Sequence, residues 1–255
     1  MKPTAIPQFG RHTAFGLSTL LAVCATARAA DDADAQAKKP DTAWKTSAAI
    51  GATLTRGNSK TLTVNGTIDT VKKWKKNEFG AGGYVTYGED DGDTTANNYG
   101  LYSQYNRLFT ERFFAFARVD YQHDELADLD YRVALNPGVG YYFLKDDKFT
   151  LAGEVGPGYV WEKLGNERDD FATLHVGERF TWEINDRARL WQNFGYEPEL
   201  EDFGNYLITA EIGFETDIIT NLSLRVVGRE TYRSDPAPGR YHNDFQLITG
   251  VAYKF

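Results

Sequence analysis

Three histidines lie beyond residue 30, and histidine is the side chain that most often acts as a general base near neutral pH. They are His123, His175 and His242. A covalent hydrolase needs a nucleophile within hydrogen-bond reach of such a base and a third group that orients it. No serine lies in a glycine-flanked elbow, and no zinc-ligand or phosphate-loop spacing is present. The sequence therefore predicts no enzyme, and a lipid-active hydrolase is only the third functional hypothesis.

Acidic clusters form a second set of candidate groups, at 89–93, 124–125, 128–130, 169–170 and 199–202. Carboxylate oxygens suit calcium and magnesium, and such an ion could bridge these loops to lipopolysaccharide phosphates. The cluster at 89–93 lacks the remaining positions of an EF-hand. We therefore interpret the clusters as solvated loops and predict no metal site and no cofactor, with cation bridging as a minor hypothesis.

The charged residues between the clusters recur at every second position. In the segment from Tyr206 to Phe214 the apolar residues take one phase, and Glu211 takes the other phase, which continues to Glu215. Such alternation suits a strand with one face in hydrocarbon and the other in a polar interior. A turn at 217–221 would bring Glu211 and Glu215 beside Arg225 and Arg229. A one-residue slip would turn both arginines to lipid at about 2–4 kcal/mol each, so the register is well specified.

The same argument predicts a polar lumen lined by eleven charged side chains. They are Arg118, Asp120, Arg132, Glu154, Arg179, Glu183, Arg189, Glu211, Glu215, Arg225 and Arg229. We favour the interpretation that these charges pair and fill a narrow barrel. The alternative is a polar channel whose charges select solutes. Inward-facing glycines, at Gly138, Gly140, Gly156 and Gly158, would either widen the lumen or make room for bulky neighbours.

Turn chemistry divides the chain beyond residue 43 into about twelve segments of strand length. The predicted strands are 44–56, 60–74, 78–89, 95–109, 113–123, 131–144, 149–164, 171–184, 188–197, 205–216, 222–232 and 241–255. The predicted fold is all-β: a transmembrane antiparallel up-and-down β-barrel of about 12 strands. An even strand number places both ends of the barrel on the periplasmic side. The connections are expected to alternate between short periplasmic turns, at 75–77, 110–112, 145–148, 185–187 and 217–221, and longer acidic extracellular loops.

Three residues fit this pattern badly. Pro137 and Pro157 would interrupt strands that a closed barrel leaves without an edge, so we predict bulges or kinks there. Glu178 falls in the lipid-facing phase. It predicts either a further bulge or a position close to the membrane interface.

The N-terminal region has the features of a secretory signal peptide. Lys2 and Arg11 precede an apolar stretch at 14–25, and Ala27 and Ala29 satisfy the small-x-small rule for cleavage. We predict a signal peptide at 1–29, a periplasmic linker at 30–42 and the barrel at 43–255. The single cysteine, Cys24, lies within the signal peptide, so the mature protein has no disulfide.

Composition limits the class of protein further. No uninterrupted apolar run of the kind that a membrane-spanning helix needs occurs after residue 30. The mean hydropathy of −0.49 suits a barrel, in which lipid-facing and lumen-facing residues alternate. The net charge of −8 argues against nucleic acid as a partner.

The last strand indicates a location. Apolar residues alternate from Phe245 to the terminal Phe255, and Gly250, Val251, Tyr253 and Phe255 match the C-terminal signal read by the barrel assembly machinery of Gram-negative bacteria. We therefore predict export to the outer membrane. The expected partners are that machinery, outer-membrane lipid with lipopolysaccharide, and small solutes or ions if a channel is present.

The opening hairpin at 51–63, the stretch 131–141 and the terminal strand together resemble a known bacterial family. This is the family named salt-induced outer-membrane proteins, a domain of unknown function. The resemblance implies a barrel in the outer membrane and, through the name alone, a link to salt stress. It supplies no catalytic residues. The expected function is a structural or osmotic role in the envelope, with a narrow porin-like channel as the alternative.

Overall fold

The computed structural model describes residues 43–55 and 61–255, and every helix or strand assigned within these ranges is a strand. The twelve strands are β1 (Lys45–Thr55), β2 (Thr61–Trp74), β3 (Asn77–Asp90), β4 (Asp93–Leu108), β5 (Phe113–Asp124), β6 (Leu129–Lys145), β7 (Phe149–Leu164), β8 (Glu167–Asn185), β9 (Ala188–Pro198), β10 (Tyr206–Ile219), β11 (Leu222–Arg233) and β12 (Asn243–Lys254). Most predicted bounds are met within two residues, although β8 begins at Glu167 rather than at residue 171. The predicted signal peptide, linker and first turn lie outside the described ranges.

Each strand pairs antiparallel with its neighbours in sequence, and β1 pairs with β12 to close the sheet. The predicted fold class, an antiparallel barrel of about 12 strands, is therefore confirmed. We call the β1–β12 pairing the seam. It comprises four residue pairs, from Ser47 with Lys254 to Ile50 with Val251, whereas β1 and β2 share eleven. None of the described residues forms a helix long and apolar enough to cross a membrane.

The polarity of the two faces of the sheet is the reverse of that in a soluble barrel. Large apolar side chains stand outward and exposed, among them Ile50 (68%), Leu101 (61%), Ile212 (55%) and Leu247 (64%). Polar and charged side chains are buried inside, including Glu215 at 1% and Arg132 at 4%. An apolar exterior around a polar interior is the arrangement that a hydrocarbon environment stabilises.

The connections are less asymmetric than predicted. Asp91 and Gly92 form a two-residue turn in which both φ angles are positive (49° and 98°), as a type I′ hairpin requires. Leu164 and Glu167 likewise enclose only two residues. The prediction of longer loops is therefore wrong at these two places. The long described connections are 199–205 and 234–242, at the end of the barrel away from Lys45 and Lys254. We call this the loop end and the other the turn end.

Pro137 and Pro157 produce no bulge, but they do interrupt the regular β6–β7 ladder that the prediction placed in doubt. The β6–β7 pairing keeps one register from Leu135–Tyr159 to Val139–Val155, so Pro137 and Pro157 lie directly opposite each other. Three successive pairs are missing between those positions, because neither proline has an N–H to donate to the other strand. The two lost donors coincide in one short gap, and the register is preserved. The β6–β7 register shifts lie elsewhere, between Leu129 and Tyr131 and between Tyr142 and Leu144.

Glu178 also lies in regular ladder, opposite Phe194 of β9, with consecutive pairs on both sides. Of the two alternatives predicted for Glu178, the structure excludes a bulge at that residue, since the β8–β9 register shifts only between Glu183 and Asn185. The other alternative, a position close to the membrane interface, stays a prediction. The carboxylate remains on the outer face, where it accepts a hydrogen bond of 3.0 Å from Gln192 Nε2.

Candidate functional site

The polar lumen is the candidate site, and Glu215 is its most buried carboxylate among the described residues. Glu215 Oε2 accepts hydrogen bonds from Arg225 Nε at 2.8 Å and from Arg189 Nη2 at 3.3 Å, and Lys254 Nζ lies 3.1 Å from Oε1. Arg225 continues the network to Ser47 Oγ at 2.8 Å and to Asp69 Oδ2 at 3.0 Å. One connected network thus includes side chains from six consecutive strands, β9 to β12 with β1 and β2.

A second network crosses the lumen. Arg229 pairs with Glu211 at 2.8 Å, and Trp191 Nε1 donates to the same carboxylate at 2.9 Å. The Arg229 guanidinium also lies 4.1 Å from the ring centroid of Tyr84. Because Tyr84 is on β3, four strands away from β11, this cation–π contact joins opposite parts of the wall.

The loop end is bridged by a third group. Arg132 pairs with Glu162 at 2.7 Å and with Glu197 at 3.2 Å, and Asn136 Nδ2 donates to Glu197 at 3.0 Å. Arg233 of β11 pairs with Glu162 of β7 at 3.1 Å. The β6–β9 and β7–β11 contacts span three and four strands, respectively.

Gln104 and Glu154 make a further crossing, from β4 to β7, with 2.8 Å between Nε2 and Oε1. Arg179 also donates to Glu154 Oε1. Arg118 forms two hydrogen bonds, of 2.7 and 2.6 Å, with Asp120 on its own strand. Each of these cations thus has a carboxylate partner.

Aromatic side chains fill the lumen towards the turn end. A buried cluster comprises Leu108, Phe114, Phe116, Tyr142 and Ala152. A Cβ atom at Gly140 would lie 2.2 Å from the Phe114 ring, and one at Gly138 would lie 2.7 Å from Phe116. Gly138 and Gly140 therefore make room for bulky neighbours, whereas a Cβ at Gly156 would meet the Pro137 carbonyl oxygen and one at Gly158 the Asn136 and Thr173 side chains.

The connection 234–242, which we call the lid, contacts loops on other strands. Arg240 donates two hydrogen bonds to Asp128, of 2.6 and 2.8 Å. Ala237 is buried, and a Cβ atom at Gly165 would lie 3.9 Å from its methyl group. Both partners of the ion pair are about two-fifths exposed, at 42% and 40%. The hydrogen bonds from Arg240 hold the pKa of the Asp128 carboxyl below its ordinary value.

At the turn end, a cavity of about 50 Å³ opens among Glu183, Arg189, Glu215, Asp217 and Lys254. Its lining carries both signs of charge. The volume corresponds to very few water molecules, so the cavity holds at most a small solute or ion.

Ten of the eleven charged residues named from the sequence form an ion pair or hydrogen bond in these networks, and Glu183 lies opposite Arg189 at the cavity. Sequence reasoning missed Asp69, Glu78, Glu162 and Arg233. The signal was available, because Glu162 shares the inward phase of Glu154 along β7. Val251, Tyr253 and Phe255 of the predicted assembly signal stand outward, and a Cβ at Gly250 would lie 2.6 Å from the Ile50 carbonyl oxygen.

The three histidines lie in three different environments. His123 and His242 each donate from Nδ1 to a backbone carbonyl oxygen, Asp130 O at 2.8 Å and Arg233 O at 2.9 Å. His175 is buried in the lumen, 3.2 Å from Glu197 Oε1 and edge-on to Phe116. The structure does not bring the three together into one catalytic site.

An apolar exterior, a polar interior and twelve closed antiparallel strands define a β-barrel of the outer-membrane type. The chain belongs to the family described as "Protein of unknown function, DUF481", whose model matches residues 48–255. A search of curated proteins found no match.

Solved structures with a similar fold include the NanC porin, with a TM-score of 0.52 and 9% sequence identity over 83% of this chain and 100% of that chain. An outer membrane channel of Pseudomonas putida F1 has a TM-score of 0.48 and 10% identity, with 89% of this chain and 100% of that chain covered. The KdgM porin has a TM-score of 0.44 and 11% identity, with 84% and 99% covered. At these identities the comparison supports the fold alone.

Proposed function

We propose that this protein is a closed outer-membrane barrel whose charge-paired lumen supports the envelope mechanically and osmotically and does not conduct solutes at rest. The observation that carries the proposal is the set of contacts across the lumen. Arg229 reaches Tyr84, Arg233 reaches Glu162, and both contacts span four strands. Solute passage along the axis would require such contacts to separate.

Separation of these pairs is energetically costly. Breaking a buried ion pair leaves an uncompensated charge, at a cost of about 3–5 kcal/mol. Arg132 and Glu162 are 4% and 7% exposed, so water does not replace their partners readily. Several such pairs in series would keep the barrel closed.

The same burial gives a physical reason for a role under salt stress. Added salt screens exposed charge pairs strongly and buried pairs much less. A barrel held together by internal pairs would keep its stability when the external salt concentration rises. We therefore propose that the envelope role extends to osmotic or salt stress.

A narrow channel with a gate is the second candidate, and the lid is the observation that favours it. The Arg240–Asp128 pair is exposed and joins loops 112 positions apart in sequence. Salt or acid weakens such a pair, so the loop end could open while the rest of the barrel stays folded. The likeness to the NanC porin fits this candidate in fold but carries no selectivity to this chain.

Conductance in planar bilayers tests both candidates. We would compare the wild-type protein with three variants, each at low and high KCl. They are a double variant, Glu162→Gln with Arg233→Gln; the single variant Asp128→Asn; and Glu201→Gln as an exposed control. Silence from the wild type, Asp128→Asn and the control supports the closed barrel, and the double variant, which keeps the other crossing contacts, shows whether the Glu162–Arg233 crossing alone holds it closed. Steps from the wild type at high salt or from Asp128→Asn support the gated channel. Steps from the wild type at low salt contradict both.

The selectivity of any steps would then identify the charges involved. A cation-selective reversal potential would assign the acidic loop end a steering role, because clusters of one sign concentrate the opposite ion. An anion-selective potential would point instead to lumen arginines that have lost their partners.

The location and the absence of enzymatic activity are part of the same proposal. The exposed apolar exterior and the outer-membrane proteins among the fold relatives support an outer-membrane location, with lipid, lipopolysaccharide and the assembly machinery as partners. Density-gradient fractionation of envelopes tests the location, and recovery with inner membranes would contradict it.

Assaying phospholipid hydrolysis with wild type and a variant lacking all three histidines tests the non-enzyme assignment. Activity lost in the variant would contradict that assignment.

A further inference from the structure

Two polar side chains interrupt the apolar exterior near the middle of β8 and β9. Glu178 and Gln192 both point outward, and Gln192 Nε2 donates to Glu178 Oε2 at 3.0 Å. Their neighbours on the same face are apolar: Val176, Phe180, Leu190 and Phe194. A carboxylate and an amide in this position would face hydrocarbon if the barrel were alone in the membrane.

The position of this pair is set by regular pairing and not by a local irregularity. Glu178 lies opposite Phe194 and Phe180 lies opposite Gln192, within an uninterrupted part of the β8–β9 ladder. The two polar side chains are therefore diagonal neighbours on the outer face. A one-residue slip would bury them but would expose the charged side chain of Arg179 and the polar amide of Asn193, both of which face the lumen, to lipid.

The intrachain hydrogen bond uses only part of the bonding capacity of the pair. A carboxylate can accept at both oxygens, and an amide offers two N–H donors and one carbonyl acceptor. Glu178 Oε1, the second N–H of Gln192 and its carbonyl oxygen remain available for a further partner. In hydrocarbon no water can satisfy them, and unsatisfied polar groups there are strongly disfavoured.

We infer that this face binds a second copy of the same chain across a two-fold axis. The pair is self-complementary, since a two-fold axis brings the free amide N–H of one copy to the free carboxylate oxygen of the other, and the reverse. Phe180 and Phe194 on either side supply aromatic contact area of the kind enriched at interfaces. The partner would thus satisfy the polar pair and cover the rings around it.

Cross-linking in native outer membranes tests this inference. In a Cys24→Ser background, Phe194→Cys places a thiol beside the polar pair, and Val85→Cys is the matched control. Both parent residues are exposed on the outer face, at 39% and 50%, and β3 lies six strands from β9. Oxidation should give a covalent dimer of twice the chain mass from Phe194→Cys and none from Val85→Cys. Equal dimer yields from both, no adduct, or adducts with other proteins would overturn the inference.

A second measurement separates the contribution of the polar pair to dimerisation from that of the surrounding apolar surface. Glu178→Leu combined with Gln192→Leu removes the hydrogen bonds and keeps the face apolar. Sedimentation in detergent should give a dimer for the wild type and a monomer for the variant, with heat-modifiable electrophoretic mobility as the check on folding. A wild-type monomer, or a variant that remains dimeric, would overturn the inference. If the double variant does not fold, Glu178→Ala alone serves the same comparison.

Discussion

Glu215 and Arg225 lie directly opposite each other on β10 and β11, 2.8 Å apart, and neither side chain is more than 5% exposed. This pair connects one half of the barrel wall. Arg225 reaches Asp69 on β2, while Glu215 holds Arg189 on β9. The wall is therefore held by side chains inside the barrel as well as by the backbone ladder.

Replacing Glu215 with Gln is expected to destabilise the barrel by about 3–5 kcal/mol, because Arg225 and Arg189 lose their buried partner. The free energy of unfolding in urea, measured for protein refolded in detergent, checks this. Glu201→Gln, in the exposed connection 199–205, is the control and should be nearly neutral. A free energy of unfolding for Glu215→Gln within about 0.5 kcal/mol of the wild-type value would show that Glu215 contributes little to the stability of the barrel.

The lid should loosen as the pH falls. Arg240 of the lid lowers the pKa of Asp128 in the folded protein. The stabilisation that this ion pair contributes is therefore present above the ordinary carboxyl pKa of about 4 and is lost as the pH falls through the depressed pKa. Asp128→Asn should imitate the acid state at neutral pH. Amide hydrogen exchange of residues 234–242, corrected for the intrinsic pH dependence, measures the change.

High salt should have a similar effect on the lid at neutral pH, because the ion pair is exposed and a Debye length of about 3 Å at 1 M screens it. Asp130→Asn is the matched control, since Asp130 pairs with Lys163 and not with the lid. The exchange protection of residues 234–242 could instead be the same in Asp128→Asn, in Asp130→Asn and at all salt concentrations. That result would contradict a stabilising ion pair between Asp128 and Arg240.

Gly213→Ala should destabilise the barrel by about 1–3 kcal/mol, the usual range for overpacking. A Cβ there would lie 2.0 Å from the Trp191 ring, so the indole must move, and this movement is expected to weaken its hydrogen bond to Glu211. Denaturant unfolding checks the loss, and Gly228→Ala is the control because its nearest neighbour lies at 3.7 Å. Equal stability of the two variants would mean that Trp191 has room to move.

Removing the terminal aromatic residue by Phe255→Ala should lower the amount of protein in the outer membrane severalfold. Its side chain is 75% exposed and forms no part of the lumen networks, so refolding in detergent should be unaffected. Quantitative immunoblots of membrane fractions check the amount in the outer membrane, and the yield of refolding in detergent checks that folding itself is unaffected. An unchanged amount in the membrane would exclude Phe255 from the assembly signal.

The fold could be predicted because its signal is periodic. Glu211 and Glu215 on β10 and Arg225 and Arg229 on β11 have a single register that keeps all four charges out of lipid, and the structure has that register. The alternation of apolar and polar residues thus specifies both the strands and their pairing.

The contacts across the lumen could not be predicted in the same way. The period of a strand shows that Arg233 and Glu162 point inward, but their contact depends on the barrel diameter and on strand tilt. The prolines were misjudged for a related reason. Each proline alone predicts a bulge, and only the relative register of β6 and β7 reveals that Pro137 and Pro157 share one gap.

The seam has a kinetic consequence. It joins Ser47 to Lys254, 254 − 47 = 207 positions apart, through four residue pairs, whereas each hairpin joins residues close in sequence. Contacts between distant residues form slowly because the loss of chain entropy precedes their stabilisation. Closure is therefore expected to be the last and slowest step of folding, after the hairpins. Mutations at Ala49 or Ile50 should then change the folding rate more than mutations within any single hairpin.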